Sequence, residues 1–171
     1  MANTYTLIEA QTLASSAASV TFSSIPATYT DLVLLVSSRI DGAGLAEYIN
    51  MIFSSDSGSK YSRTYLAGSG SAASSGRNSA NTVGGRFYAD GSTATSNTFS
   101  TTEIYIPSYT VSQNKPYSII TMSETNAAAA DMLAVASLFS STAAITSIAL
   151  TPASGNLVTG SSFYLYGIKN S

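Results

Sequence analysis

The chain contains no cysteine, no histidine and no tryptophan among its 171 residues. Without cysteine there is no disulfide, no thiolate metal site and no sulfur nucleophile. Without histidine the usual general base, the commonest transition-metal ligand and the physiological-pH switch are missing together. Charge is scarce as well: 9% of residues are Asp, Glu, Lys or Arg, where a typical domain has roughly 25%. Seven basic and nine acidic residues leave a formal net charge of −2, so there is no electrostatic footprint for DNA or RNA. The start, Met1-Ala2-Asn3-Thr4-Tyr5, has no basic or apolar leader and reads as lacking a signal peptide. The longest strongly apolar run, Leu32-Val33-Leu34-Leu35-Val36, is far too short to span a bilayer. Absence of cysteine fits synthesis in a reducing cytoplasm.

What is present in quantity is small and hydroxylated: 32 Ser, 20 Thr and 24 Ala. A surface built from these repels its neighbours weakly, which suits close packing beside other copies. The length suits one domain, 1–171, which when compact buries roughly 70% of its unfolded surface and needs no staples. Residues 1–16 read as a terminal arm that pairs with a neighbour, or as a plain first strand.

The patterning is β throughout. Short apolar or alternating runs recur between Gly, Pro, Asn, Asp and Ser. Strands are expected at 4–9, 17–23, 31–39, 47–54, 62–66, 86–88, 101–106, 115–123, 132–139, 145–150 and 162–168. In Thr102-Glu103-Ile104-Tyr105-Ile106 the two isoleucines share a face and Glu103 and Tyr105 share the other. Residues 31–36 are apolar on both faces, which predicts a central strand covered on both sides. Asp41-Gly42, Asp90-Gly91 and Ser154-Gly155-Asn156 supply turns. The segments 68–76 and 90–97, rich in Gly, Ser and Thr, read as flexible loops, and the loops near 68–80 and 90–98 as candidates for a variable tip. The stretch 126–131, with four consecutive alanines, reads as a helical turn or a tight connection. About ten strands in one domain predict an all-β fold, an antiparallel β-sandwich, with a jelly roll as the expected topology. Eleven tyrosines suit sheet edges and subunit interfaces, because the ring can be buried while the hydroxyl stays wet.

No reactive constellation accompanies this pattern. Ser57-Gly58-Ser59-Lys60 has the spacing Ser-x-x-Lys, but its partner motifs Ser-Asp-Asn and Lys-Thr-Gly are missing, and it reads as a hairpin loop. Hydroxyls alone do not make a nucleophile without a neighbouring base. Nothing in the sequence pairs two carboxylates as a glycosidase requires. Asp41-Gly42-Ala43-Gly44 and Ser54-Ser55-Asp56-Ser57-Gly58 offer oxygens but not an EF-hand loop, and read as Asx turns. The expectation is therefore a non-enzymatic structural or binding protein with no cofactor and no metal. Lys60, Arg63, Arg77 and Arg86 lie in one stretch of chain and form at most a small positive patch, with a solvated face as the simpler reading. Candidate partner contacts are the terminal strand, Thr4, Tyr5, Thr6, Leu7 and Ile8, and the basic set Lys60, Arg63, Arg77 and Arg86.

Several blocks in order carry a resemblance. They are Ser19-Val20-Thr21-Phe22-Ser23-Ser24-Ile25-Pro26 running into Tyr29-Thr30-Asp31-Leu32-Val33-Leu34, then Tyr61-Ser62-Arg63-Thr64-Tyr65-Leu66-Ala67-Gly68. Asn97-Thr98-Phe99 and Glu103-Ile104-Tyr105-Ile106-Pro107-Ser108-Tyr109 follow, and the chain closes with 145–156 and Phe163-Tyr164-Leu165-Tyr166-Gly167-Ile168-Lys169. This order resembles a group of small virion structural proteins of tailed bacteriophages. The resemblance implies a β-sandwich or jelly roll on the outer surface of the particle, made in the host cytoplasm. It implies a capsid decoration (cement) protein, usually a homotrimer, that binds the major capsid protein on the outside of the head. The alternative it implies is a tail-fibre, tailspike or head-fibre module that binds host surface glycan. Neither nucleic acid nor membrane is expected as a partner.

Overall fold

A computed structural model describes residues 4–126 and 130–169. Twelve strands are formed: β1 (Tyr5–Thr12), β2 (Val20–Phe22), β3 (Asp31–Ser38), β4 (Ala46–Phe53), β5 (Tyr61–Gly68), β6 (Ala73–Asn81), β7 (Arg86–Asp90), β8 (Ser100–Ile106), β9 (Lys115–Ser123), β10 (Asp131–Phe139), β11 (Ile148–Pro152) and β12 (Ser162–Ile168). They make an eight-stranded sheet, β1-β12-β3-β8-β9-β10-β5-β6, and a four-stranded sheet, β2-β11-β4-β7. Every strand pairing is antiparallel. The fold is the expected all-β antiparallel sandwich. Among the described residues no helix is long and apolar enough to cross a membrane.

Alternation of side chains explains the layering. Along β8 and along β9 buried and exposed residues alternate without a break. Their inner residues, with Leu32, Leu34 and Val36 of β3 and Phe163 and Leu165 of β12, meet Phe22, Ile49, Met51, Phe53, Phe87, Ile148 and Leu150 of the smaller sheet. Each such side chain stabilises the fold by roughly 1.5–3 kcal/mol when fully buried. At one end of the core the rings of Tyr61 and Phe139 stack at 4.8 Å, and Phe53 meets Tyr117 edge-on at 5.1 Å. The Tyr61 hydroxyl accepts from the Phe53 backbone N–H (3.1 Å) and donates to the Asp56 carbonyl (2.9 Å). Burial of this phenol pushes its pKa up to about 12.

All eleven expected strands are present; 115–123 and 162–168 match end for end, and the others are shifted at one or both ends. The twelfth, β6, falls partly in the segment expected to be a flexible loop. Its residues Ala73 to Gly76 pair with Gly68 to Tyr65 of β5, and only a short turn around Gly70 joins the two strands. The segment 90–97 is likewise held rather than loose. The Arg39 guanidinium donates to the carbonyls of Ala94, Thr95 and Thr98, at 2.8–3.1 Å. Of the four-alanine stretch expected to form a helical turn or a tight connection, 127–129 lie outside the described residues. Residues 31–36 do form a strand inside the large sheet, between β12 and β8. Its outer side is not fully covered, however: Val33 is buried between Tyr166 and Tyr105, while Leu35 is 38% exposed. Among the described residues no second layer lies on that side.

In both oxygen-rich segments the aspartate carboxylate is tied into the protein. The Asp41 carboxylate accepts from the Asn156 N–H (2.6 Å) and ties two loops together. Asp56 accepts from the Gly58 N–H (3.0 Å) as an Asx turn and pairs with Lys60 at 2.6 Å. Lys60, in the Ser-x-x-Lys stretch, thus closes its own hairpin loop, and its hydrogen bond holds the Asp56 carboxyl below the usual range.

Candidate interaction surface

The outer face of the eight-stranded sheet follows from the same alternation. Every strand that sends one set of side chains into the core sends the other set out on this side. Register then aligns the outward set in rows across the whole sheet. One row runs Ala10, Tyr164, Leu35, Glu103, Ile120, Ala134, Leu66, Ser75. The row on one side is Leu7, Tyr166, Val33, Tyr105, Ser118, Ala136, Thr64, Arg77. On the other side Met122 lies opposite Met132.

Large apolar groups stand free on this face. Tyr5, Leu7, Leu35, Leu66, Tyr105, Ile120, Met122 and Met132 are each between 36% and 61% exposed. Between them the small side chains of Ser118, Ala134 and Ala136 leave a trough, bounded by Tyr105 and Pro116 on one flank and Leu66 on the other. Charge is almost absent from the rows: Glu103 lies near the middle and Arg77 at the β6 edge. Asp31, at the margin, accepts from the Tyr105 hydroxyl (2.9 Å) and from the Ser108 N–H (2.8 Å). Burial, and then the Asp31 hydrogen bond, raise the pKa of the Tyr105 phenol. Eight strands at ~4.8 Å spacing span ~34 Å, and three rows add ~20 Å in the other direction, for roughly 700 Å². That approaches the roughly 800 Å² per partner of a standard protein–protein interface.

The candidate contact residues separate in space. Tyr5 and Leu7 lie on this outer face, while Thr4 and Thr6 are exposed. Ile8 is the extra residue of a β-bulge between Leu7 and Glu9, and it packs against the core. The terminal segment is not a free arm: Tyr5–Thr12 runs along β12 as the edge strand. Of the basic set, Lys60 belongs to its loop and Arg77 points outward opposite Thr64. Arg63 and Arg86 meet on the other side of β5, in a cleft with Tyr48, Tyr65 and Tyr88.

One cation that sequence reasoning passed over is structural. Lys115 is fully buried, and its ammonium donates to the carbonyls of Val111 (2.7 Å), Gln113 (2.5 Å) and Ser141 (3.3 Å). Burial lowers its pKa. Among the described residues no group of three or more carboxylates is placed to hold a metal ion. No family model matches the chain, and no curated protein or solved structure matches it significantly.

Proposed function

We propose that the chain is a structural protein of a tailed-phage virion: a capsid decoration protein that docks on the outside of the head through the outer face of its large sheet. The observation that carries the proposal is that face, broad, nearly uncharged and studded with exposed Leu, Ile, Met and Tyr. A sheet face that stays uncovered in the single chain gains most by being covered in an assembly. Docked across neighbouring major capsid subunits, it would add interface that must break before the shell opens, and so stabilise the shell by mass action. The role proposed is non-catalytic. The free edges of β1 and β6 give a homotrimer its contacts between copies.

Strand order supports the jelly-roll part of the reading. Setting aside β1, β12 and the β9–β10 hairpin leaves β2-β11-β4-β7 facing β3-β8-β5-β6. That is the interleaved order of an eight-stranded jelly roll, with one hairpin inserted between β8 and β5 and two strands added beyond β3.

Co-sedimentation with heads that lack the protein tests the proposal. Saturable binding at a simple ratio to the major capsid subunit is expected. No binding to heads, together with binding to host cells or their glycans, would replace it with the tail-fibre, tailspike or head-fibre alternative.

A further inference from the structure

The cleft beside β7 contains an arrangement that the decoration role does not use. It has a volume of about 300 Å³, and Tyr48, Arg63, Tyr65, Asn78, Arg86 and Tyr88 are among the residues that wall it. Arg63 donates through Nε to the Asn78 side-chain carbonyl (3.2 Å), and Arg86 donates through Nε to that of Asn50 (3.1 Å). The Arg86 guanidinium lies 5.6 Å from the centroid of the Tyr48 ring, and Tyr48 stacks on Tyr88 at 5.0 Å. Each arginine is thus oriented by a neutral amide at one nitrogen, and among the described residues its terminal nitrogens have no hydrogen-bond partner. Among the described residues neither arginine has a carboxylate partner. Asp131 is near enough to act on the Tyr88 phenol but pairs with neither.

Two half-buried cations side by side are unfavourable unless something answers them. Burial, then the charge of Arg86, lowers the pKa of Arg63. The chain does provide such an answer for its other buried or loop cations: Arg39 meets carbonyls, Lys60 a carboxylate and Lys115 three carbonyls. The cleft also rests on a strained local backbone. Opposite Ser62, strand β6 carries the extra residue of a bulge, and Ala80 sits there at φ 55°. That bulge immediately follows Asn78, which orients Arg63. Bulges of this kind re-aim side chains and gather at functional sites.

We propose that this cleft binds the carboxylate of an acidic sugar, a uronate unit, with Arg63 and Arg86 as its paired donors and the tyrosines as its walls. Guanidinium groups match a carboxylate in geometry and charge. The volume is at the small end of ligand sites and suits one sugar ring. Tyr48, Tyr65 and Tyr88 add phenol hydroxyls and ring edges to a largely polar lining, which fits a sugar ring whose rim is O–H. An acidic side chain of a protein partner would satisfy the arginines and leave the tyrosine walls without a role.

The test uses the full chain, with glucuronate as the probe, glucose as its neutral counterpart and a glutamate-containing peptide as the rival. Binding is followed by calorimetry and by the Nε–H resonances of Arg63 and Arg86. Saturable glucuronate binding that shifts both resonances is expected, with glucose at least about tenfold weaker, the equivalent of one charge-assisted hydrogen bond. Arg63→Gln and Arg86→Gln should each weaken glucuronate about tenfold as well, and Arg77→Gln, on the opposite face, should not. The resonance shifts on the unaltered chain keep the test decisive if a variant folds poorly. No saturable glucuronate binding, equal binding of glucose, or tighter binding of the peptide would overturn the proposal. The measurement needs no virion, so its failure leaves the decoration reading standing.

Discussion

Ile120→Lys separates folding from docking on the outer sheet face. Ile120 is 47% exposed and lies directly across from Glu103. In the free chain a lysine there gains a cross-strand charge pair worth about 0.2–1 kcal/mol. It gives up a strand preference of similar size. Net stability should stay within about 0.5 kcal/mol of the unaltered chain. In the docked state two losses add. The half of the isoleucine still to be buried is worth about 1 kcal/mol, and taking an ammonium out of water costs about 1.5 kcal/mol more even when it is partly paired. Together these make about 2.5 kcal/mol, or roughly 70-fold in affinity. Co-sedimentation of the variant with heads, beside its thermal melt, reads both quantities. An unchanged melt with head binding weakened by one to two orders of magnitude is the expected pair of results. An unchanged melt with unchanged binding would refute the assignment of this face as the docking surface.

Three further outcomes follow from the structure. Ser54 and Ser55 both have positive φ (50° and 56°) in the turn that ends β4, closed by the Asp56 N–H donating to the Phe53 carbonyl at 2.9 Å. Glycine is at ease at the second of these positions, so Ser55→Gly should raise unfolding free energy by about 1 kcal/mol in urea titration; a loss would show that the turn is not strained. Lys115→Met keeps the bulk but strips three carbonyls of their donor, and should cost about 2 kcal/mol by the same assay; a neutral result would mean that the ammonium does not tie the 111–113 and 141 segments together. Tyr61 has its pKa raised from 10.0 to about 12, so its contribution is whole below pH 10 and disappears as pH rises through 12. Two pH units correspond to about 2.7 kcal/mol, and the buried Tyr117 phenol, also raised by burial, adds to the loss. Urea titrations at pH 9 and pH 11.5 should show stability falling steeply, and a flat profile would contradict the burial of these phenols.

The strands were legible wherever burial alternates. The sequence of β8 shows period two plainly, because one face is in the core and the other is not. β6 was not legible, since Ala73–Asn81 is exposed along almost all its length and carries no apolar rhythm. Its strand character comes from pairing with β5, and a Ser-Gly-rich edge strand has the same composition as a linker. The clamp on 90–97 was hidden for another reason: its donor, Arg39, lies 55 or more residues away in the chain. Alternation also cannot say whether the second face is covered. Leu35, expected inside a strand covered on both sides, therefore turned out to line the open face. The basic set was misleading because chain proximity is not spatial proximity. Parity carried the missing signal: in Tyr61-Ser62-Arg63-Thr64-Tyr65 the arginine shares a face with both tyrosines, whereas Arg77 falls on the opposite side. That Arg86 completes the cleft depends on how the two sheets meet, which no local pattern records.

The most direct test of the central claim is the copy number of the chain in purified particles, measured by quantitative mass spectrometry against the major capsid protein. A decoration protein docked through its large sheet predicts a ratio near one or a simple fraction of one. A ratio of a few per cent, or absence from the particle, would contradict it.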